Sequence, residues 1–581
     1  MVHLGLREEN DHLWYSIFVI QETIKNLITQ ALKELDLPQA DFVVEHPGDL
    51  SHGDYSTNVA MVLSKQAGQN PRDLAGKIVE VLEKNLPAEI SKVEAVGPGF
   101  INFHLSRGFF TGSIQEILRQ KENWGKNTQL LGKKVMVEYT QPNPFKPFHI
   151  GHLMSNAIGE SISRIVEFSG AKTIRANYQG DVGPHVAKAI WGILNSGESH
   201  EGKTALWVGE QYAKGSDAYD NLPEMKAEID VINKKVYEKT DPQINEIYNW
   251  GRKVTLDAFE EIYTILGTKF DHYFFESDMA PIGQKIVTDN IGKVFTESDG
   301  AIVFHAENYD PILHTRVFIN SKGLPTYETK EIGLTVTKFE KENPDLSIIT
   351  TAIEQGEYMK IVAKALSLIH PGYEARMKHI THGMMRLATG KMSSRKGNVI
   401  TGESLITDSM DVVRAKIAER ELTDAEKDSI SKIVGVAALK YSILRSSLGS
   451  DIVYDFEKSI SFEGDSGPYL QYTGVRAQSI LKKAQSEGIT LSVGTAPSDV
   501  VTLEKMLYRF PEVVSHAYNT LEPHHLVTYL SLLSAEFNSF YASVRILESD
   551  HAPYYLTLVE AFHQTMENGL YLLGIRLPSK M

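Results

Sequence analysis

The sequence predicts an α/β fold: a Rossmann-like parallel-sheet domain, preceded by a small N-terminal α/β domain and followed by an all-α helical bundle. Three observations carry this. Strand-like and helix-like runs alternate from about 133 to 400, the pattern of a parallel sheet covered by helices, with ligands at the C-terminal ends of the strands. Within that stretch a strand-like run, 134–140, passes through Pro142, Pro144 and Pro147 into an amphipathic helix that begins near His149. From about 410 onward, helical periodicity recurs over 431–446, 466–486, 499–518, 523–547 and 553–573, with almost no strand signal.

The elements follow from local pattern. Ile17, Ile20, Ile24, Leu27, Ile28, Ala31, Leu32 and Leu35 recur at helical spacing. Pro71 opens a second helix with Ala75, Ile78, Val79 and Leu82 on one face. Residues 92–96 and 100–105 read as strands around the turn Gly97-Pro98-Gly99, and the polar stretch 121–129 as a linker. Helix 150–169 is closed by Gly170, and a strand over 171–178 follows. Residues 195–270 are charged, helical and insertion-like; strand-like runs return at 301–305, 317–320, 346–352 and 377–387. The expected organisation is an extension over 1–14, an N-terminal domain over 15–120, the sheet domain over 131–405, connecting helices over 406–455 and a helical domain over 456–581.

Composition narrows the class. With 581 residues there is room for about three or four domains. A 42% hydrophobic and 23% charged composition suits a soluble globular protein with sizeable cores. The absence of cysteine excludes disulfides and cysteine-bound zinc. The first residues lack a signal-peptide pattern, and no apolar run approaches the ~20 residues of a membrane helix, so a cytoplasmic protein is expected. The formal charge of -15 counts against indiscriminate nucleic-acid binding. A nucleic-acid partner therefore has to be read from motifs.

Two motifs carry chemistry. In Pro144-Phe145-Lys146-Pro147-Phe148-His149-Ile150-Gly151-His152 a helix start leaves free N–H groups at the positive end of its dipole, an anion site before any side chain is added. Lys146, His149 and His152 add donors suited to a triphosphate, and Gly151 lets a flat adenine approach the backbone. A bare His-x-Gly-His is equally explained by helix capping; metal binding lacks the His-Glu-x-x-His spacing. In Gly390-Lys391-Met392-Ser393-Ser394-Arg395-Lys396-Gly397-Asn398, three cations and two hydroxyls can close on phosphates as charge develops on departing pyrophosphate. Together the motifs point to an enzyme that adenylates its substrate.

The two motifs resemble the H-I-G-H and K-M-S-K-S signatures of class I aminoacyl-tRNA synthetases. The segment Val137-Glu138-Tyr139-Thr140-Gln141-Pro142-Asn143, continuing through Lys146 and Pro147, resembles the arginyl-tRNA synthetases in particular. So do Asn177-Tyr178-Gln179-Gly180-Asp181-Val182-Gly183, Gly467-Pro468-Tyr469-Leu470-Gln471-Tyr472, the closing Leu572-Leu573-Gly574-Ile575 and the N-terminal Gly97-Pro98-Gly99-Phe100-Ile101-Asn102-Phe103.

The resemblance implies an arginine–tRNA ligase. It would use ATP with Mg2+, form arginyl-adenylate from L-arginine, and transfer the arginyl group to the 2′-hydroxyl of the terminal adenosine of tRNA-Arg. The family typically needs bound tRNA for efficient activation, and many members are monomers. By the same resemblance, Lys146, His149, His152, Lys391, Arg395 and Lys396 are catalytic, and His149, Gly151, His152, Met392 and Ser393 hold ATP. Glu138, Asn143, Tyr327, Glu331 and Gln355 hold arginine. Phe100, Asn102, Tyr469, Tyr472 and Arg476 meet tRNA.

This chain departs from the family pattern twice. Glu331 stands where aspartate is usual, and Ser394 where the loop signature has lysine, which shifts the expected phosphate neutralisation toward Lys146. A class I synthetase for another amino acid, and a catalytically silent relative that binds tRNA, remain open readings.

Overall fold

The computed structural model describes residues 8–388 and 401–581, with side chains from Ile20 onward. They form two compact bodies. One holds the residues up to Lys126 together with Tyr472–His516 and Thr528–Gly569; the other holds Asn127–Gln471, Ala517–Val527 and Leu570–Met581.

The first body opens with α1 (Glu8–Glu34), which begins earlier than the periodicity suggested. Then come β1 (Val44–Glu45), β2 (Tyr55–Thr57), α2 (Val59–Ala67), α3 (Pro71–Leu82), β3 (Ile90–Val96), β4 (Phe100–Leu105) and α4 (Arg107–Gln120). The strands form an antiparallel sheet in the order β1-β2-β4-β3. Ile20, Ile24, Ile28 and Leu32 recur along one face of α1 and are buried, as are Leu74 and Ile78 of α3. Asn70 caps α3, its side chain accepting from the Arg72 N–H at 2.9 Å, with Pro71 in the first turn. The helical part of this body is tied to the sheet part by Arg107, paired with the buried Glu504 at 2.7 Å, and by His46, 2.8 Å from Glu512.

The second body contains, in chain order, β5 (Lys134–Glu138), α5 (Ile150–Phe168), β6 (Lys172–Gln179), α6 (Pro184–Leu194), α7 (Ala205–Asn221), α8 (Pro223–Glu238), α9 (Pro242–Leu266), β7 (His272–Phe275) and α10 (Glu276–Asp289). It continues through β8 (Thr296–Ser298), β9 (Ala301–Phe304), β10 (Arg316–Ile319), α11 (Tyr327–Glu342), β11 (Leu346–Ala352), α12 (Gly356–Ile369), β12 (Met377–His382), β13 (Met385–Leu387), α13 (Gly402–Lys416), α14 (Asp424–Leu444) and β14 (Ile452–Tyr454). The expected parallel sheet is present, in the order β12-β11-β5-β6-β7. Val135, Met136 and Val137 of its central strand are fully buried, as a strand covered on both faces requires. The charged insertion folds as α6–α9 around its own apolar core of Val186, Ile190, Val208, Ile232, Ile244 and Ile247.

Three expectations are corrected. The strand-like runs near 301–305 and 317–320 are strands, but they form a separate antiparallel sheet, β10-β9-β8, over Phe295, Phe304 and Phe318. The run 377–387 breaks after His382: β12 stays in the parallel sheet, while β13 pairs with β14, a strand inside the region expected to be helical. The helix expected over 499–518 is two, Thr502–Leu507 and Phe510–Thr520, and Pro511 sits in the first turn of the second, where a missing N–H is harmless.

The last turns of the chain are clasped by side chains. The Tyr571 carbonyl accepts from Arg164, the Leu572 carbonyl from Ser161, the Gly574 carbonyl from Lys440 and the Arg576 carbonyl from Gln471, at 2.6 to 2.8 Å. Lys440 is fully buried and donates also to the Leu266 carbonyl that ends α9, at 2.7 Å. Among the described residues no helix is long and apolar enough to cross a membrane.

Candidate active site

The C-terminal edge of the parallel sheet carries the site. Leaving β5, the chain makes a contorted turn in which three non-glycine residues have positive φ: Thr140 at 78°, Gln141 at 51° and Phe145 at 68°. Such conformations persist only where surroundings enforce them. Here the Thr140 N–H donates to Ser155 Oγ and Asn156 donates to Thr140 Oγ1, each at 3.0 Å, while Phe145 is buried with its N–H 3.3 Å from Thr255 Oγ1.

The turn delivers His149 as the N-cap of α5. His149 Nδ1 accepts from the His152 N–H at 3.4 Å, and His152 Nδ1 accepts from the His149 N–H at 3.2 Å. The two rings stack with centroids 3.4 Å apart. This reciprocal cap does what Ser and Glu do in an ordinary capping box. A nitrogen that accepts carries no proton, so each neutral imidazole bears its proton on Nε2 and keeps one donor for a ligand. Burial, then the neighbouring His149 and Lys146, hold His152 well below the ordinary histidine range. His149 is lowered too, by burial of its inner face and by Lys146, although its outer side is open. The pair is therefore neutral, and Lys146 is the cation acting on both rings. That side chain is half-buried with Nζ 5.3 Å from the Tyr212 ring; burial lowers its pKa and Glu276 opposes the shift. Gly151 has a structural reason of its own: a Cβ there would lie 3.1 Å from the His149 ring, so the glycine makes room for the stack.

The chain returns to this cap from the second motif. Thr401 bridges His149, and the Gly402 N–H donates to the Phe148 carbonyl at 2.8 Å. A Cβ on Gly402 would come within 2.9 Å of the His149 carbonyl. On the other flank the Ala388 N–H donates to the Tyr454 carbonyl at 2.9 Å. Lys391, Met392, Ser393, Ser394, Arg395 and Lys396 lie outside the described residues.

Beside the phosphate end sits a cluster of buried charge. Glu138 is 1% exposed; Lys338 donates to its Oε2 at 2.7 Å and Gln141 to its Oε1 at 2.9 Å. Glu276, at the first turn of α10, pairs with Lys330 at 2.7 Å. Glu331 is 4% exposed, and its Oε1 has no hydrogen-bond partner among the described residues. Burial, then the nearby Glu138 carboxylate, push the Glu331 carboxyl well above the usual carboxylate range, against the pull of Lys338. Asn143 accepts from the Gly180 N–H at 3.2 Å, and the adjacent Asp181 is held by Tyr248, Arg252 and Ser277 at 2.8 to 3.0 Å.

The structure brings Glu138 and Glu331, both named from the sequence, together with Glu276, Lys330, Lys338, Tyr178 and Tyr358, which were not. The phenols of Tyr178 and Tyr358 sit among these carboxylates and are kept protonated, by burial first and by the acidic neighbours next. The available signal was on α11: Glu331 and Lys338 are seven apart and share a face that otherwise turns inward. Tyr327, expected with Glu331 to face the guanidinium, is 63% exposed, with Lys330 Nζ 5.1 Å from its ring. Gln355 is exposed in the turn that follows β11.

The expected tRNA residues divide. Asn102 is buried and accepts from Ser56 Oγ at 2.7 Å, so it belongs to the interior of the sheet; Phe100, at the start of β4, is half-exposed. Tyr469 is half-buried in the first turn of the helix Gly467–Ser486. Arg476 donates to Asn538 at 2.5 Å and to the Tyr472 hydroxyl at 3.1 Å, with its guanidinium 4.8 Å from the Tyr472 ring and 5.5 Å from that of Tyr541.

A family model described as tRNA synthetases class I (R), catalytic domain, matches residues 113–456, more than half of the chain. The parallel sheet and the histidine-capped helix at its edge thus belong to a class I tRNA synthetase catalytic domain. Models described as the arginyl tRNA synthetase N terminal domain and the DALR anticodon binding domain match residues 22–105 and 470–581. The chain is 32% identical to an arginine–tRNA ligase of Fusobacterium nucleatum, over 97% of this chain and 98% of the relative. It is 30% identical to one of Clostridium perfringens, over 96% and 100%. The chain belongs to the arginyl-tRNA synthetase family. Two solved structures share its fold: Thermus thermophilus arginyl-tRNA synthetase, with TM-score 0.79 at 24% identity over 97% of this chain and 100% of that one, and the Plasmodium falciparum enzyme, with TM-score 0.80 at 20% over 97% and 99%.

Proposed function

We propose that the protein is an arginine–tRNA ligase that activates L-arginine with ATP and esterifies tRNA-Arg at the 2′-hydroxyl of its terminal adenosine. The observation that carries the amino-acid assignment is the charge cluster: three buried carboxylates, Glu138, Glu276 and Glu331, against two ammonium groups, Lys330 and Lys338, with one Glu331 oxygen unpartnered. A guanidinium supplies the missing positive charge and donors in one group.

In the first step an oxygen of the arginine carboxylate attacks the α-phosphorus of ATP, and the bond to the bridging oxygen breaks with departure of pyrophosphate. The Nε2–H groups of His149 and His152 hydrogen-bond the nucleotide without adding charge. Lys146 neutralises the charge that grows on the leaving group, joined by Lys391, Arg395 and Lys396 of the second motif. Met392 and Ser393 are assigned to ATP by the family resemblance alone, and magnesium enters with ATP as part of the substrate. Asn143 and Glu138 orient the backbone end of arginine; Tyr327 and Gln355 border the side chain. In the second step the 2′-oxygen displaces AMP from the carbonyl carbon.

The N-terminal domain over 15–120 offers Phe100 to the D-loop of tRNA, and the helical domain after 456 offers Tyr469, Tyr472 and Arg476 to the anticodon arm. The enzyme works as a monomer in the cytoplasm.

Pyrophosphate exchange across a panel of amino acids, with and without tRNA, tests the assignment. Exchange with arginine that rises when tRNA is added is expected, with citrulline rejected; exchange with another amino acid in place of arginine would overturn it.

A further inference from the structure

Resting on the arginine assignment, the buried carboxylates point to how the pocket changes state when it fills. Glu331 is almost wholly buried, and among the described residues Oε1 has no donor. An ionised carboxylate in such a place is stable only with a cation or several donors beside it. The groups that face it come from every packed element. Glu138 on β5 and Glu276 on α10 are acids, and among the described residues Lys338 on its own helix is the cation acting on it. Tyr178 on β6 and Tyr358 on α12 are neutral phenols. Lys338 is committed to Glu138 at 2.7 Å and Lys330 to Glu276 at 2.7 Å, so neither is free to balance a third negative charge. Lys146 acts on Glu276, away from this carboxyl.

We propose that Glu331 carries a proton in the empty pocket and surrenders it to solvent when the arginine guanidinium arrives, so that binding one arginine releases about one proton. The balance is simple. The carboxylic acid loses H⁺ to water or buffer, the guanidinium keeps all its protons, and the product is a buried carboxylate–guanidinium pair. As the direction of the Glu331 shift requires, the linkage weakens arginine binding about tenfold for each pH unit below the empty-pocket transition, and leaves affinity flat above it. The protonated state also has a selectivity of its own. A carboxylic acid donates one hydrogen bond, which suits the ureido carbonyl of citrulline, so preference for arginine over citrulline narrows as the pH falls.

The test is isothermal titration of the full-length protein with arginine, near pH 7, in phosphate and in Tris. The enthalpy difference, divided by the difference in buffer ionisation enthalpy, counts protons. The expected result is release of about one proton per arginine, with Kd rising about tenfold per unit on the acid side. Glu331→Gln removes both effects: weaker arginine binding, independent of buffer and of pH, in a protein whose unfolding shows it folded. Tight arginine binding by the wild type with no proton release and a pH-flat Kd overturns the linkage and leaves the arginine assignment standing. Release that persists in Glu331→Gln overturns it also. Failure to bind arginine at any pH, with another amino acid bound in its place, overturns the assignment and the linkage together.

Discussion

The two ends of the site are built on opposite electrostatic plans. At the phosphate end the histidines are neutral, lock each other through their Nδ1 atoms, and leave Lys146 as the described cation. At the end proposed for the amino acid, three buried acids face two buried ammonium groups, and one acid is short of a partner. On the proposed reading, the first end meets a highly charged substrate with dipoles and, among the described residues, with Lys146. On the same reading, the second meets a singly charged side chain with a carboxyl that ionises only when that side chain arrives. A group that must release its product promptly gains from weak, numerous donors. A group that must discriminate gains from a buried charge that only the right partner satisfies.

Mutation breaks the two ends differently. Lys338→Met has the largest expected effect, about 3–5 kcal/mol of folding stability, because it strands the buried Glu138 carboxylate; urea unfolding measures it. At the other end Lys146→Ala should leave stability nearly unchanged and lower kcat about 10²-fold in pyrophosphate exchange. Wild-type turnover in that variant would remove Lys146 from the mechanism.

Acid and base pull the ends apart. The folded-state pKa of His152 is depressed, so stability falls as pH drops below the ordinary histidine value of about 6.5, where the unfolded chain takes up a proton the native ring refuses. The folded-state pKa of Glu331 is raised, so its contribution is full below the ordinary glutamate value of about 4.3 and is lost as pH rises toward the folded value. Unfolding free energy against pH should lose its acid slope in His152→Asn and its slope between pH 5 and 7 in Glu331→Gln. The smallest effect expected is at Arg476. Alanine there removes a half-exposed cation between two tyrosine rings, worth about 1 kcal/mol, and should raise the KM for tRNA several-fold while KM for arginine and ATP stay put.

Local signals were readable and paired ones were not. The strand, turn and histidine cap at 134–152 lie in one short stretch, and each residue type states its own reason. Glu331 was named only through the family resemblance; the structure then placed it on a buried helix. Lys338 gave no comparable sign, because its meaning lies in Glu138, 200 residues away. The strands at Ala301–Phe304 and Arg316–Ile319 were visible, but composition does not reveal which sheet a strand joins or in which direction. Asn102, which the resemblance assigned to tRNA, accepts from Ser56 in the structure, a pairing across 46 residues of sequence.

The clasp on the last turns has a consequence for how this chain tolerates change. All four side chains, Arg164, Ser161, Lys440 and Gln471, grip carbonyl oxygens. A carbonyl is the same whatever residue bears it, so the path of the tail is dictated by the residues that hold it and scarcely by the letters it spells. Substitutions among the exposed tail side chains should pass unnoticed. Shortening the chain past Gly574 should not, because it leaves the buried Lys440 ammonium with one acceptor where it had two.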